Sequence, residues 1–163
     1  MSYELWIKIH HSTFITHHSW VMGYELWMWI GMENILKNKS FSLAIEIVQV
    51  YKHLIEEKRE FVMSKQLLRS GTSIGAMVRE SQNAESKNDF IHKLAIAQKE
   101  CDETLYWLEL IHTSGYLNEE KFTNCFQHAS EILRILKSVI LTTKQNLLKK
   151  WISIMSKFIT HHS

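Results

Sequence analysis

Two glycines four residues apart, Gly71 and Gly75, stand inside a run whose apolar residues repeat at helical spacing, and that combination demands an explanation. Leu67, Leu68, Gly71, Ile74, Gly75 and Val78 recur at steps of three and four, so they lie along one side of a helix. Each glycine in a helix interior costs roughly 1 kcal/mol relative to alanine, and something must offset that. Ser70, Thr72, Ser73 and Ala76 surround the pair with small side chains, giving a surface on which a second helix backbone can come close. The stretch predicts a close helix crossing, with Gly71 and Gly75 as structural or subunit-interface residues.

The same residues imitate a catalytic motif. Gly71, Thr72, Ser73, Ile74 and Gly75 fit G-x-S-x-G, which requires a strand before the serine and a helix after it. The residues before Ser73 have helical periodicity, and no glycine-rich loop offers an oxyanion hole. The reading preferred for Ser73 is a buried helix serine bonded back to its own turn. No paired acids, phosphate loop, metal set or activated nucleophile occurs elsewhere, so no enzyme, catalytic residue, metal or cofactor is expected.

Helices also follow from what the chain lacks. It has no proline and five glycines in 163 residues, which leaves little turn chemistry and favours long helices. The length suits one domain with its own core. A formal net charge of +2 is too small to announce a nucleic-acid partner by itself, so local charge matters more. Cys101 and Cys125 fall in helical patterns and make no disulfide framework, which points to a reducing cytoplasm.

Residues 1–31 differ in character. They are crowded with tryptophan and histidine; Tyr-Glu-Leu-Trp occurs at Tyr3 and again at Tyr24, and Phe-Ile-Thr-His-His-Ser at Phe14 recurs as the last six residues, from Phe158. Identical hexapeptides at both ends resemble translated repetitive DNA flanking a shorter frame, with Met32 as its start. The expected organisation is an atypical extension over 1–31, a helical domain over 32–150 and a tail over 151–163. His10, His11, His17 and His18 interrupt what a secretory signal would need to be apolar, and Trp20 to Met32 is too short to span a bilayer. The weaker alternatives for this segment are an interfacial position for its tryptophans and an adventitious metal site at its paired histidines. No membrane contact is expected.

From Met32 onward four helices are predicted. The first runs from about Ser40, as N-cap, to about Lys58, with Phe41, Ala44, Ile45, Val48, Tyr51 and Ile55 as its apolar stripe. The second spans about Val62 to Ser86. The third opens near Asn88 or Asp89, carries Phe90, Leu94, Ala97, Cys101, Leu108 and Ile111, and stops at Gly115. The fourth begins at Asn118, with Glu119 and Glu120 in its first turn and Lys149 and Lys150 near its end, complementing the macrodipole. Short connections make neighbours antiparallel, so the expected fold is an all-α, up-down-up-down four-helix bundle.

Ser-Lys-Gln-Leu-Leu-Arg-Ser-Gly-Thr-Ser-Ile-Gly-Ala from Ser64 is followed by Val-Arg-Glu at Val78, Gln-Asn-Ala-Glu-Ser-Lys at Gln82, Asp-Phe-Ile-His-Lys-Leu at Asp89 and Tyr-Trp-Leu-Glu-Leu at Tyr106. This series resembles the bacterial four-helix-bundle family whose founding members are encoded in intervening sequences of large-subunit ribosomal RNA genes, over roughly Met32 to Lys150. The resemblance implies assembly into a homopentamer. It extends to a structural cousin, the accessory variability determinant of diversity-generating retroelements, which binds nucleic acid and a reverse transcriptase through a basic pentameric barrel. Met77 stands where relatives usually have asparagine and Ser81 where alanine is usual, so a polar role at position 77 does not carry over.

Past Glu131 the fourth helix carries Arg134, Lys137, Lys144, Lys149 and Lys150 and no acid. Arg134, Lys137 and Lys144 fall close to one side, and an oligomer would repeat that strip into a field able to hold phosphates. The bland alternative is a solvated face. Lys65 and Arg69 share a face of the second helix, and Arg79 with Glu80 is the most motif-like charged pair. These are further candidates for phosphate, but the preferred reading joins them with Glu100 and Glu103 of the third helix in ion pairs that fix register within or between subunits. Trp107, with Tyr106 and Tyr116, is read as core or subunit interface ahead of a base-stacking platform. His92, His112 and His128 are assigned no chemistry. Two readings remain: an oligomeric scaffold holding structured RNA or other nucleic acid without reading its sequence, and an interaction module that assembles other proteins.

Overall fold

The computed structural model describes residues 34–160, and across them four helices are joined by three short connections. Helix α1 spans 34–56, α2 Met63–Ser81, α3 Lys87–Thr113 and α4 Glu119–Thr160. Among the described residues the structure is all-helical, with no strand. The chain divides between Ile35 and Leu36, and the second unit holds nearly all of the described residues. The extension expected over 1–31 and the end of the C-terminal repeat lie outside the described residues.

Caps explain where the helices stop. Gly115 takes φ +79°, with its N–H bonded to His112 O and the Tyr116 N–H to Ile111 O, so a Schellman turn ends α3 where the glycine predicts. The Asn118 side chain accepts from the Lys121 N–H and opens α4. At the start of α3 the N-cap is Ser86, whose hydroxyl accepts from the Asp89 N–H. That shortens α2, expected to reach Ser86, because this serine satisfies the next helix instead. Helix α2 has no side-chain cap from its own N-cap residue, Val62. The Glu60 carboxylate does the work, accepting from the N–H groups of Val62, Met63 and Ser64 at 2.9, 2.9 and 2.7 Å.

The buried face of α1 is not the expected one. Leu36, Leu43, Ile47, Val50 and Leu54 are buried, whereas Phe41 and Ile45 stand about half exposed. The helix has two apolar stripes, and helical periodicity alone cannot say which one faces inward. Ser40, expected as an N-cap, lies inside α1, buried, with its hydroxyl donated to Lys37 O. The α1 stripe that was chosen brings the Ile47 side chain against Gly71, where it fills the space a Cβ would need, and brings the α1 backbone at Ser40 against Gly75. Gly75 is looser: an added Cβ would meet Ser40 O at 3.5 Å, an ordinary contact.

Partners between helices fall in opposite order along each pair. Ser40 meets Gly75 and Ile47 meets Gly71; Lys39 meets Glu131 and Glu46 meets His128; Thr104 donates to the Ser70 hydroxyl while Lys93 reaches Glu80. Helix α3 packs on both α2 and α4. Its expected stripe, from Phe90 to Ile111, is buried in full, with Thr104 added to it. Gly71 to Gly75 is uninterrupted helix, without the strand-to-helix turn that a nucleophile elbow needs. The back-bonds in this region come from Ser70, to Leu67 O, and Thr72, to Leu68 O, and Ser73 is only half-buried.

Candidate nucleic-acid interface

Helix α4 has one face turned into the unit and one turned out. Ala129, Ile132, Leu136, Val139, Ile140 and Thr143 are buried, and the Thr143 hydroxyl is tied to Val139 O at 2.7 Å. Opposite them, Arg134, Lys137, Leu141 and Lys144 are exposed. Two helical turns span about seven residues, so steps of seven keep a constant face. Arg134, Leu141, Leu148 and Met155 form one such row, and Lys137, Lys144 and Trp151 the row beside it. The structure thus brings the three expected cations together on the outward face. It adds a feature that charge counting missed: exposed apolar residues continue the same face beyond them.

The last acid before this strip is already engaged. Glu131 accepts from the Lys39 ammonium at 2.7 Å. That bond holds its carboxyl below the usual range against the opposing effect of burial, and the charges of Lys39, Arg134 and His128 add to the lowering. One turn earlier His128 Nδ1 lies 2.8 Å from Glu46, so both acids of this neighbourhood have partners between α1 and α4. Lys137, Lys144, Lys149 and Lys150 make no ion pair among the described residues and project into solvent. Lys149 and Lys150 were expected to complement a helix terminus; instead α4 runs on to Thr160, ten residues past them. Their charge is therefore not absorbed by the end of the helix dipole, which acts only over the last turn.

The second basic group stays apart. Lys65 and Arg69 are exposed on α2, which packs on α3 and does not touch α4. Within one chain the two groups form separate patches. Arg69 acts on Glu100, whose carboxyl is held above its ordinary range by burial and by neighbouring Glu103, with the Arg69 charge opposing. The other expected register pairs are different. Among the described residues Arg79 lies over the Phe41 ring at 4.9 Å from its centre, and Glu80 accepts from Lys93 at 2.7 Å; neither meets Glu100 or Glu103. Trp107 is half-buried, donates Nε1–H to Glu103 at 3.1 Å and meets Tyr106 edge-on.

One histidine carries more structure than its isolation in the sequence suggests. The His112 ring stacks on Phe122 at 4.2 Å and nearly parallel, with Nδ1 facing Leu117 O at 3.0 Å and Nε2 facing Glu119 at 3.3 Å. It ties the α3–α4 turn together. The signal available in sequence was its place three residues before Gly115, at the end of a helix.

Residues 32–138 match the family described as the 23S rRNA-intervening sequence protein. A crystal structure of a protein of unknown function from the S23 ribosomal protein family of Bacteroides thetaiotaomicron VPI-5482 is 50% identical, superposes with a TM-score of 0.66, and covers 67% of this chain and 97% of that one. No curated protein matches the chain.

Proposed function

The chain belongs to the 23S rRNA-intervening sequence protein family, and from that premise we propose that it is a non-enzymatic helical scaffold that self-associates and holds structured RNA, or another nucleic acid, through phosphate contacts. The observation that carries this reading is the outward face of α4, where Arg134, Lys137 and Lys144 lie exposed, with Lys137 and Lys144 in no ion pair among the described residues and Glu131 bonded to Lys39. Cations on one face attract phosphates without reading bases. Lys149 and Lys150 extend the positive charge along the helix, and Lys65 and Arg69 form a second patch that another subunit could bring into line.

The opposed order of partners between helices supports an antiparallel up-down-up-down bundle. A homopentamer would multiply the α4 strip five times, turning a modest charge into a field strong enough to retain RNA. The half-exposed Phe41 and Ile45 on α1 supply an apolar surface for such contacts between subunits. A cytoplasmic location suits two buried, unpaired cysteines. The same Phe41 and Ile45 surface favours a second reading, in which the oligomer gathers other proteins and touches no nucleic acid.

Fluorescence anisotropy of a labelled structured RNA, measured at two salt concentrations alongside the oligomer mass, separates the two. Binding that weakens steeply with salt supports the scaffold, because phosphate contacts release counterions. A confirmed oligomer that binds no RNA at low salt leaves the protein-assembly reading.

A further inference from the structure

Among the described side chains of α4, Thr143 is the last buried one, yet the helix continues to Thr160. Along that continuation Leu148, Trp151, Ile152 and Met155 are half to two-thirds exposed, and Leu141 precedes them on the same face. Spacings of three, four and seven gather these residues into one apolar arc. Lys144 lies within the arc and Lys149 and Lys150 lie outside it, all exposed. No aspartate or glutamate follows Glu131 anywhere in the sequence.

We infer that the distal part of α4 docks on an anionic phospholipid surface, lying in the headgroup layer with its apolar arc turned toward the acyl chains. The chemistry matches on both counts. A helix whose apolar face carries tryptophan and leucine and whose remaining faces carry lysine is the form that settles at a bilayer interface, with lysine stems reaching outward along apolar surface to the headgroups. A long cationic stretch without a single acid complements anionic lipid. A second copy of the same stretch would instead confront it with like charge. A protein partner is less well served: one helix face offers a ridge and no groove, and a ridge of five side chains falls well short of the roughly 1,000 Å² that a stable interface buries. No helix among the described residues is long and apolar enough to cross a membrane, which leaves the interfacial position. This differs from the sequence-based expectation of no membrane contact, which weighed the tryptophans before Met32 and not Trp151 of α4.

The test is sedimentation of the full chain with vesicles of phosphatidylcholine alone and of phosphatidylcholine with phosphatidylglycerol at three to one. The comparison protein carries Leu148→Ser, Trp151→Ser and Ile152→Ser, positions exposed enough to leave the body folded, with helix content and mass checked in both. The expected result is pelleting with the anionic vesicles only, reduced by about tenfold or more in the variant. RNA binding should be the same in both proteins, so failure of the RNA reading and failure of this one are told apart. Three results would overturn the proposal: no pelleting with either vesicle, pelleting that the serine variant leaves unchanged, or a variant that loses oligomer mass while vesicle binding is absent throughout. The last would assign the arc to a second copy of the chain.

Discussion

Ile47 of α1 fills the space that a side chain at Gly71 of α2 would need. A Cβ at Gly71 would fall 2.8 Å from Ile47 Cγ1 and 2.9 Å from Cγ2, and Ile47 is fully buried and branched, so it cannot swing aside. Gly71→Ala should therefore destabilise the protein by about 1–3 kcal/mol, the usual penalty for overpacking a core. Gly75→Ala should be neutral or stabilising by up to about 1 kcal/mol, since helix propensity then acts without a clash. Urea unfolding of the two variants reads the difference. A second change, Ile47→Ala, should cost less in the Gly71→Ala background than alone, a coupling that a double-mutant cycle measures.

Glu60 makes the start of α2 sensitive to acid. Burial raises its carboxyl pKa, but the N–H donors of Met63, Val62 and Ser64 and the Ser64 hydroxyl together outweigh that and hold it below the ordinary value. A carboxyl depressed in the folded state stabilises fully above its unfolded pKa, and that stability fades as the pH falls through the folded one. Glu60→Gln should cost about 1–3 kcal/mol at neutral pH, because one amide oxygen replaces an acceptor of three N–H bonds. The variant should also lose less stability than the parent on going from neutral pH to below the glutamate range, as followed by unfolding at a series of pH values.

Charge reversal at Lys137 and Lys144 should abolish RNA binding while leaving the oligomer mass unchanged, because both side chains are exposed on the outward face of α4. Neutralising the same pair with glutamine should lower the slope of log K against log salt by about 2 per engaged subunit. An unaltered slope with weaker binding would place the phosphate contacts elsewhere.

Two turns hold left-handed residues of opposite suitability. Gly115 at φ +79° has open space around it, so Gly115→Ala should cost about 1 kcal/mol from backbone conformation alone. Arg59 adopts φ 54° with a full side chain, and Arg59→Gly should recover some of that strain, raising the thermal midpoint. Calorimetry of the two variants should give shifts of opposite sign.

Burial pushes the Cys101 thiol up to about 12 and the Cys125 thiol up to about 11. A thiol-specific reagent at mildly alkaline pH should leave both unmodified in the native protein and modify both after unfolding, since only the thiolate reacts.

Much of this structure could be read from spacing, and the exceptions share a cause. The stripe of α3 from Phe90 to Ile111, the stop at Gly115 and the cap at Asn118 depend on neighbours within a turn or two, which sequence displays directly. The inward face of α1 does not: both of its stripes are periodic, and the choice was made by Gly71 of another helix. The pairs Lys39–Glu131 and Glu46–His128 join residues 92 and 82 positions apart, beyond any local pattern. At the candidate interface the cations were visible as a charge run. The exposed apolar row beside them was not, because Leu148 and Trp151 look like core until they are seen to stand about two-thirds exposed.

Helix α4 contains neither glycine nor proline across its 42 residues, and at about 1.5 Å per residue it extends roughly 63 Å. It is a shaft without a joint. Lys137 and Trp151, fourteen residues apart, are fixed about 21 Å from each other and at nearly the same azimuth. Whatever holds one of these two residues therefore sets the orientation of the other, so a displacement at Trp151 is carried along the helix to Lys137.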